Sequence, residues 1–195
     1  MRPVFFYDLG SPYAYLAAER VNSLFVEAAG GPPEWQPILL GGLFARFGRD
    51  SWANGPGRQA GMRECEWRAS TYGLAPIRWP EPWPGNTLAA MRVATFAKQI
   101  GKTVSFSLAA FRQAFAAGRD LSELDNVMLA AAAAEMHPRA IRAAIERDSI
   151  KNALREATER AGDLGVRGVP SVLVGDDAFW GDDRLDEAAA AASVG

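Results

Sequence analysis

The chain has 195 residues, 49% hydrophobic and 23% charged, with a net charge of −2. That balance suits one domain with an insertion, or two small domains, around a sizeable core. It gives no global field to recruit nucleic acid or an anionic membrane, and no apolar run reaches the ~18 residues that a bilayer span needs.

Val4 to Leu9 reads as a buried strand. Ser11-Pro12-Tyr13-Ala14 follows as a turn, with serine in an N-cap position and proline in the first helical turn. Tyr15 to Ala29 carries helix formers until Gly30-Gly31-Pro32-Pro33 stops them. Trp35 to Leu40 is a second short strand, broken by Gly41-Gly42, so the first forty residues form a β-α-β unit with room for a parallel crossover. Residues 50–57 form a loop, and Arg58 to Tyr72 is helical. Pro76 to Gly85 holds four prolines and two tryptophans and is an extended connector. Thr87 to Ile100, Ser105 to Ala117, Ser122 to Glu135 and Pro138 to Ile145 are alanine-rich helices, and Asp148 to Leu164 is a last long one. Ser171 to Val174 and Ala178 to Trp180 are strands around a Gly175-Asp176-Asp177 hairpin turn. Gly181-Asp182-Asp183 then opens a final helix over Arg184 to Ala192.

Three segments carry chemistry. Phe6 to Leu16 is a strand, a turn and a helix start, the place where thioredoxin-like redox enzymes carry Cys-x-x-Cys. Here Ser11 and Ala14 occupy the two cysteine positions. A hydroxyl cannot form a disulfide, so the site handles a thiol brought from outside. In Gly165 to Val174, Val169 is forced extended by Pro170. The Val169–Pro170 bond, entering a strand in a fold of this pattern, is a candidate for the cis form. A cis bond would offer the Val169 N–H and C=O to an extended peptide as a short antiparallel ladder. In Phe179 to Leu185, Gly181 gives close backbone access just before a helix, which suits a carboxylate. Asp182 or Asp183 suits an ammonium group, so this segment matches both charges of an α-amino acid. Each segment alone also has a plain structural explanation.

Together, in this order and spacing, the three segments resemble the 2-hydroxychromene-2-carboxylate isomerase and kappa-class glutathione transferase family. Pro37 to Phe44, Asn54-Gly55-Pro56 and Ala89 to Arg92 add to the likeness, which runs over essentially the whole chain. The resemblance implies an α/β fold: a DsbA-like architecture in which a thioredoxin-like domain (residues 1–40 and 150–195) is interrupted by an all-helical insertion (residues 41–149). It implies a glutathione-dependent isomerase or transferase acting on an electrophilic conjugated organic acid. Ser11 would stabilise the glutathione thiolate, Val169 and Pro170 would pair with the cysteinyl backbone, and Asp182 and Asp183 would receive the γ-glutamyl end. Asn54 and Arg58 would also contact glutathione, and a homodimer is implied. Departures from the family pattern are Arg58 for lysine, Asp182 for an amide or hydroxyl residue, and Gly61 and Cys65 for tyrosine and aspartate. The alternatives are a DsbA-type oxidoreductase relative that lacks the cysteine pair and a non-catalytic binding module.

Cys65, the single thiol, permits no internal disulfide. With Met62, Arg63 and Glu66 beside it on a helix, it is expected to be buried and inert. His137 precedes Pro138 and is expected to cap a helix. No zinc or EF-hand spacing is present, so no metal is expected. Trp79, Trp83 and Trp180 are available to roof an aromatic pocket or to pack the core. The N-terminal residues lack the pattern of a signal peptide, and a cytoplasmic location is expected.

Overall fold

The computed structural model describes residues 2–194. Strands β1 (Val4–Tyr7), β2 (Glu34–Pro37), β3 (Ser171–Val174) and β4 (Asp177–Trp180) form one sheet in the order β2-β1-β3-β4. β1 runs parallel to β2 and antiparallel to β3, and β4 returns antiparallel to β3. Its apolar Val-Phe-Phe-Tyr run suits β1 to the sheet centre, where both faces are covered. Phe5 lies opposite Trp35 on one side and Val172 on the other. Trp35 packs edge-on against Phe5 and Tyr7, at centroid distances of 4.9 and 5.4 Å. The buried Tyr7 hydroxyl is satisfied by the Ser107 hydroxyl at 2.6 Å.

One helix is predicted over Tyr15–Ala29, but the structure has two, α1 (Pro12–Ala18) and α2 (Val21–Ala29). Neither glycine nor proline separates them. Glu19 pairs with Arg112 at 2.7 Å, and Arg20 donates to the Asp182 carbonyl at 3.1 Å while lying 3.9 Å over the Tyr72 ring. Contacts distant in sequence occupy the break, so local propensity does not reveal it. β2 is also shorter than predicted, because Leu39 becomes the N-cap residue of α3 (Leu40–Phe47). Gly41-Gly42 does not stop the chain. A Cβ on Gly42 would lie 2.9 Å from Thr158 Cγ2, so this glycine lets α3 settle closely on α9 (Asp148–Asp163).

The remaining helices are α4 (Arg58–Thr71), α5 (Leu88–Gln99), α6 (Thr103–Phe111), α7 (Leu124–Ala133), α8 (Pro138–Glu146) and α10 (Leu185–Val194). α6 passes into a wider π turn at Arg112–Ala116. A 3-10 turn at Asp182–Arg184 precedes α10, where one continuous helix is predicted. His137 does cap α8, its Nδ1 accepting from Arg139 N–H at 3.2 Å. α10 packs on α2, β3 and β4, and α5 and α9 pack on β2. The segments after β1, β2 and β4 and the one before β3 therefore meet at one edge of the sheet, where ligand sites of α/β folds form.

Candidate active site

A cavity of about 600 Å³ lies at that edge, within the ~300–1,000 Å³ range of small-molecule sites. Ser11 is on its wall. The buried Ser11 side chain caps α1, its Oγ accepting from Ala14 N–H at 3.2 Å. A hydroxyl has one donor and two acceptor positions. The Ser11 O–H has no acceptor among the described residues and stands beside the positive end of α1.

Val169 and Pro170 form another part of the wall, and the bond between them is cis. The backbone N–H and C=O of Val169 have no hydrogen-bond partner among the described residues. The Pro170 carbonyl accepts from Gly181 N–H at 3.0 Å, which ties this segment to the end of β4. A Cβ on Gly168 would lie 2.7 Å from Trp180 Cε2, so the indole rests directly on the backbone there. Arg49 stacks 4.6 Å over the same Trp180 ring and donates to the Arg167 carbonyl at 2.9 Å.

Asp182 and Asp183 are adjacent in sequence and differ in environment. The Asp182 side chain is 1% exposed. Its Oδ1 accepts from Arg68 Nη1 at 2.9 Å and its Oδ2 from the Tyr72 hydroxyl at 2.8 Å. Arg68 also holds Glu64 at 2.7 Å and approaches Asp183 at 3.6 Å. Burial works against the charge on Arg68, but Glu64 and Asp182 outweigh it and hold the guanidinium protonated. Asp182 is therefore spent on α4, while the Asp183 side chain is 59% exposed at the cavity. Gly181 takes φ 124°, and a Cβ there would collide with the Asp183 carboxylate.

Tyr13, Trp52 and Trp83 also line the cavity, the Tyr13 ring lying 5.4 Å from the Arg68 guanidinium. Trp52 lies 5.9 Å from Tyr13 and 5.4 Å from Trp83 between ring centroids. Gly61 makes this possible: a Cβ there would come within 2.5 Å of Trp52 Cε3. Beneath Tyr13, Cys65 is fully buried, and burial pushes its thiol up to about 12. It does not line the cavity. No group of three or more His, Cys, Asp or Glu side chains among the described residues could hold a metal.

Residues 4–192 match the DSBA-like thioredoxin domain. The chain belongs to that family. Among curated proteins it is 25% identical over 185 residues to the 2-hydroxychromene-2-carboxylate isomerase of Sphingobium xenophagum, covering 93% of each chain. Among solved structures, a 2-hydroxychromene-2-carboxylate isomerase superposes with a TM-score of 0.84 at 21% identity, covering 95% of this chain and 91% of that one. A chain assigned as a DsbA oxidoreductase from Streptomyces coelicolor gives 0.75 at 20% identity, covering 98% and 89%. At these identities the structural likeness speaks for the DsbA-like fold.

Within this DsbA-like frame the structure gathers Ser11, Val169, Pro170, Asp182 and Asp183 around one cavity. It does not bring Asn54 or Arg58 to that wall. Asn54 is exposed, and Arg58 turns to the Trp83 carbonyl at 2.6 Å. Trp52, Ser51, Asp50 and Arg49 occupy the wall instead. Asp182 does line the cavity, with its carboxylate engaged by Arg68 and Tyr72. Sequence reasoning missed Arg68, Arg49 and Asp8 as wall residues. An arginine one helical turn after Glu64 was a visible signal for Arg68, but its partner Asp182 lies 114 residues away.

Proposed function

We propose that this protein is a glutathione-dependent enzyme that isomerises an electrophilic, conjugated aromatic organic acid. The observation that carries this reading is the free Ser11 hydroxyl at the start of α1, in the same cavity as the unpaired backbone of Val169. When bound, glutathione supplies a thiolate that adds reversibly to an electron-poor double bond and so allows rotation about it.

The chain's own residues fit that ligand. Val169 N–H and C=O offer one antiparallel pair of hydrogen bonds to a peptide backbone. Ser11 O–H donates to the sulfur, and the N-terminal amides of α1 add to the field that favours negative charge there. Asp183, exposed at the cavity and held by Arg68 only at 3.6 Å, is the carboxylate open to an ammonium group, while Asp182 is buried and hydrogen-bonded on both oxygens. Trp52, Trp83 and Tyr13 provide flat apolar faces for a conjugated substrate and keep water from them. Disulfide exchange does not fit, because serine and alanine hold the redox positions and Cys65 is buried off the cavity.

Calorimetric titration with glutathione, followed by assay on a hydroxychromene carboxylate with Ser11→Ala as control, tests the proposal. Binding in the millimolar range or tighter, with turnover lost in the variant, is expected. No binding at millimolar glutathione, or full turnover by Ser11→Ala, refutes it. Release of a thioether product would assign transfer in place of isomerisation.

A further inference from the structure

Three chain segments meet at the Asp8 carboxylate. Oδ1 accepts from Gly10 N–H at 2.9 Å and from the Thr87 hydroxyl at 3.2 Å, and Oδ2 accepts from Leu40 N–H at 2.8 Å. Gly10 lies just before α1, Leu40 opens α3 and Thr87 is the N-cap residue of α5. All three line the cavity together with Asp8, which is 6% exposed. The fit is close: a Cβ on Gly10 would lie 3.2 Å from Thr87 Oγ1 and 3.4 Å from Asp8 Oδ1.

The other charged groups on the cavity wall are Arg49, Asp50, Arg68, Asp182 and Asp183. No cation hydrogen-bonds to Asp8 among the described residues. Arg49 is bound to the Arg167 carbonyl, and Arg68 to Glu64 and Asp182. The adjacent titratable group, Tyr7, is bonded to Ser107. A carboxylate offers about four lone-pair directions. Three are occupied, and Oδ2 keeps one. Two anions inside one cavity repel each other, so a thiolate beside Ser11 and an ionised Asp8 disfavour each other.

We propose that Asp8 is the proton acceptor for the thiol bound beside Ser11, a role that rests on the glutathione reading above. The S–H bond breaks and its electron pair stays on sulfur. The proton forms an O–H bond at Asp8 Oδ2, so one negative charge and one proton are shared within the cavity and no further reactant is needed. The proton returns to sulfur when the thiol re-forms. Burial pushes the Asp8 carboxyl above its ordinary range, the direction an acceptor needs, while its three donors pull the other way.

The test is to titrate wild-type protein and Asp8→Asn with glutathione at neutral pH. Protons released are counted by calorimetry in buffers of different ionisation enthalpy, and thiolate is read by ultraviolet difference absorbance. Wild type is expected to form thiolate with almost no net proton release. Asp8→Asn is expected to release about one proton per thiolate formed, as an uncoupled group would. S-Methylglutathione, which has no thiol proton, should release none from either protein and should bind both, showing that the variant's cavity is intact. Thiolate accompanied by about one released proton in wild type overturns the proposal, whether or not the variant folds. So does a proton count that is the same in both proteins. No glutathione binding, or binding without thiolate, overturns this proposal together with the functional reading it rests on.

Discussion

Replacing Gly61 with alanine sets a Cβ within 2.5 Å of Trp52 Cε3 and 2.9 Å of Cη2. Carbon atoms pack comfortably at ~3.5–4.0 Å, so the indole must withdraw by about 1 Å. Trp52 then gives up its placement against Tyr13 and Trp83. Aromatic pairs of this kind contribute ~0.5–1.5 kcal/mol each beyond area burial, so about 1–3 kcal/mol is at stake. Alanine in place of glycine inside α4 returns about 1 kcal/mol of helix propensity. The net loss is ~0–2 kcal/mol, or at most about 8 °C in Tm for a chain of this size. Stability should therefore change little while the aromatic wall moves. Near-ultraviolet circular dichroism and tryptophan fluorescence should report the displacement, and affinity for an aromatic ligand should fall. A variant about 1 kcal/mol more stable, with the wild-type aromatic spectrum and affinity, would mean the indole does not rest on this glycine.

Other perturbations separate neighbouring roles. Asp182→Asn removes one of the charges that Arg68 holds while Glu64 keeps its bond, and should cost about 1.5–3 kcal/mol, read as a urea midpoint. Asp183→Asn, at an exposed side chain, should leave that midpoint within about 0.5 kcal/mol but weaken glutathione binding; equal effects from the two variants would contradict the division of labour drawn above. Ser11→Ala should also cost ~0.5–2 kcal/mol through the lost helix cap, so its turnover must be measured well below its melting temperature. Cys65, its thiol pushed up to about 12, should resist alkylation in the native protein at pH 8 and react fully once unfolded; prompt native labelling would contradict its burial. Asp8 is held above its ordinary value of 3.8 in the folded protein. Its contribution to stability is therefore complete below that pH and is lost as pH rises through the raised native value. The stability of wild type relative to Asp8→Asn should fall over that interval, and parallel pH profiles would count against it.

What the sequence discloses is what short-range pattern governs. β1, β3 and β4 follow from apolar runs bounded by Gly, Pro and Asp, and the Ser11 turn and the Val169–Pro170 entry are legible because each is a local motif. Elements decided by tertiary packing are not legible. α3 is hidden by Gly41-Gly42, which reads as a breaker until Thr158 on α9 is seen against it. The break between α1 and α2 depends on Arg112, Asp182 and Tyr72, none of them nearby in sequence. In the site, Asp182 and Asp183 look equivalent on paper, and only the burial of Asp182 against Arg68 and Tyr72 tells them apart. Trp52 reads as a loop residue for the same reason, since its seat is a missing side chain on another element.

The cavity wall is drawn from five stretches: residues 8–13, 40–53, 83–87, 168–170 and 180–183, with Arg68 added from α4. Any compound that fills it staples the two ends of the chain to its middle and binds only when all of them have assembled. A ligand at a hundred times its Kd should add about 2.7 kcal/mol to unfolding, a melting shift of roughly 5–11 °C for a chain of this length. Heating the protein against a panel of thiol tripeptides and unsaturated aromatic acids, singly and in pairs, would thus rank prospective substrates before any turnover assay exists.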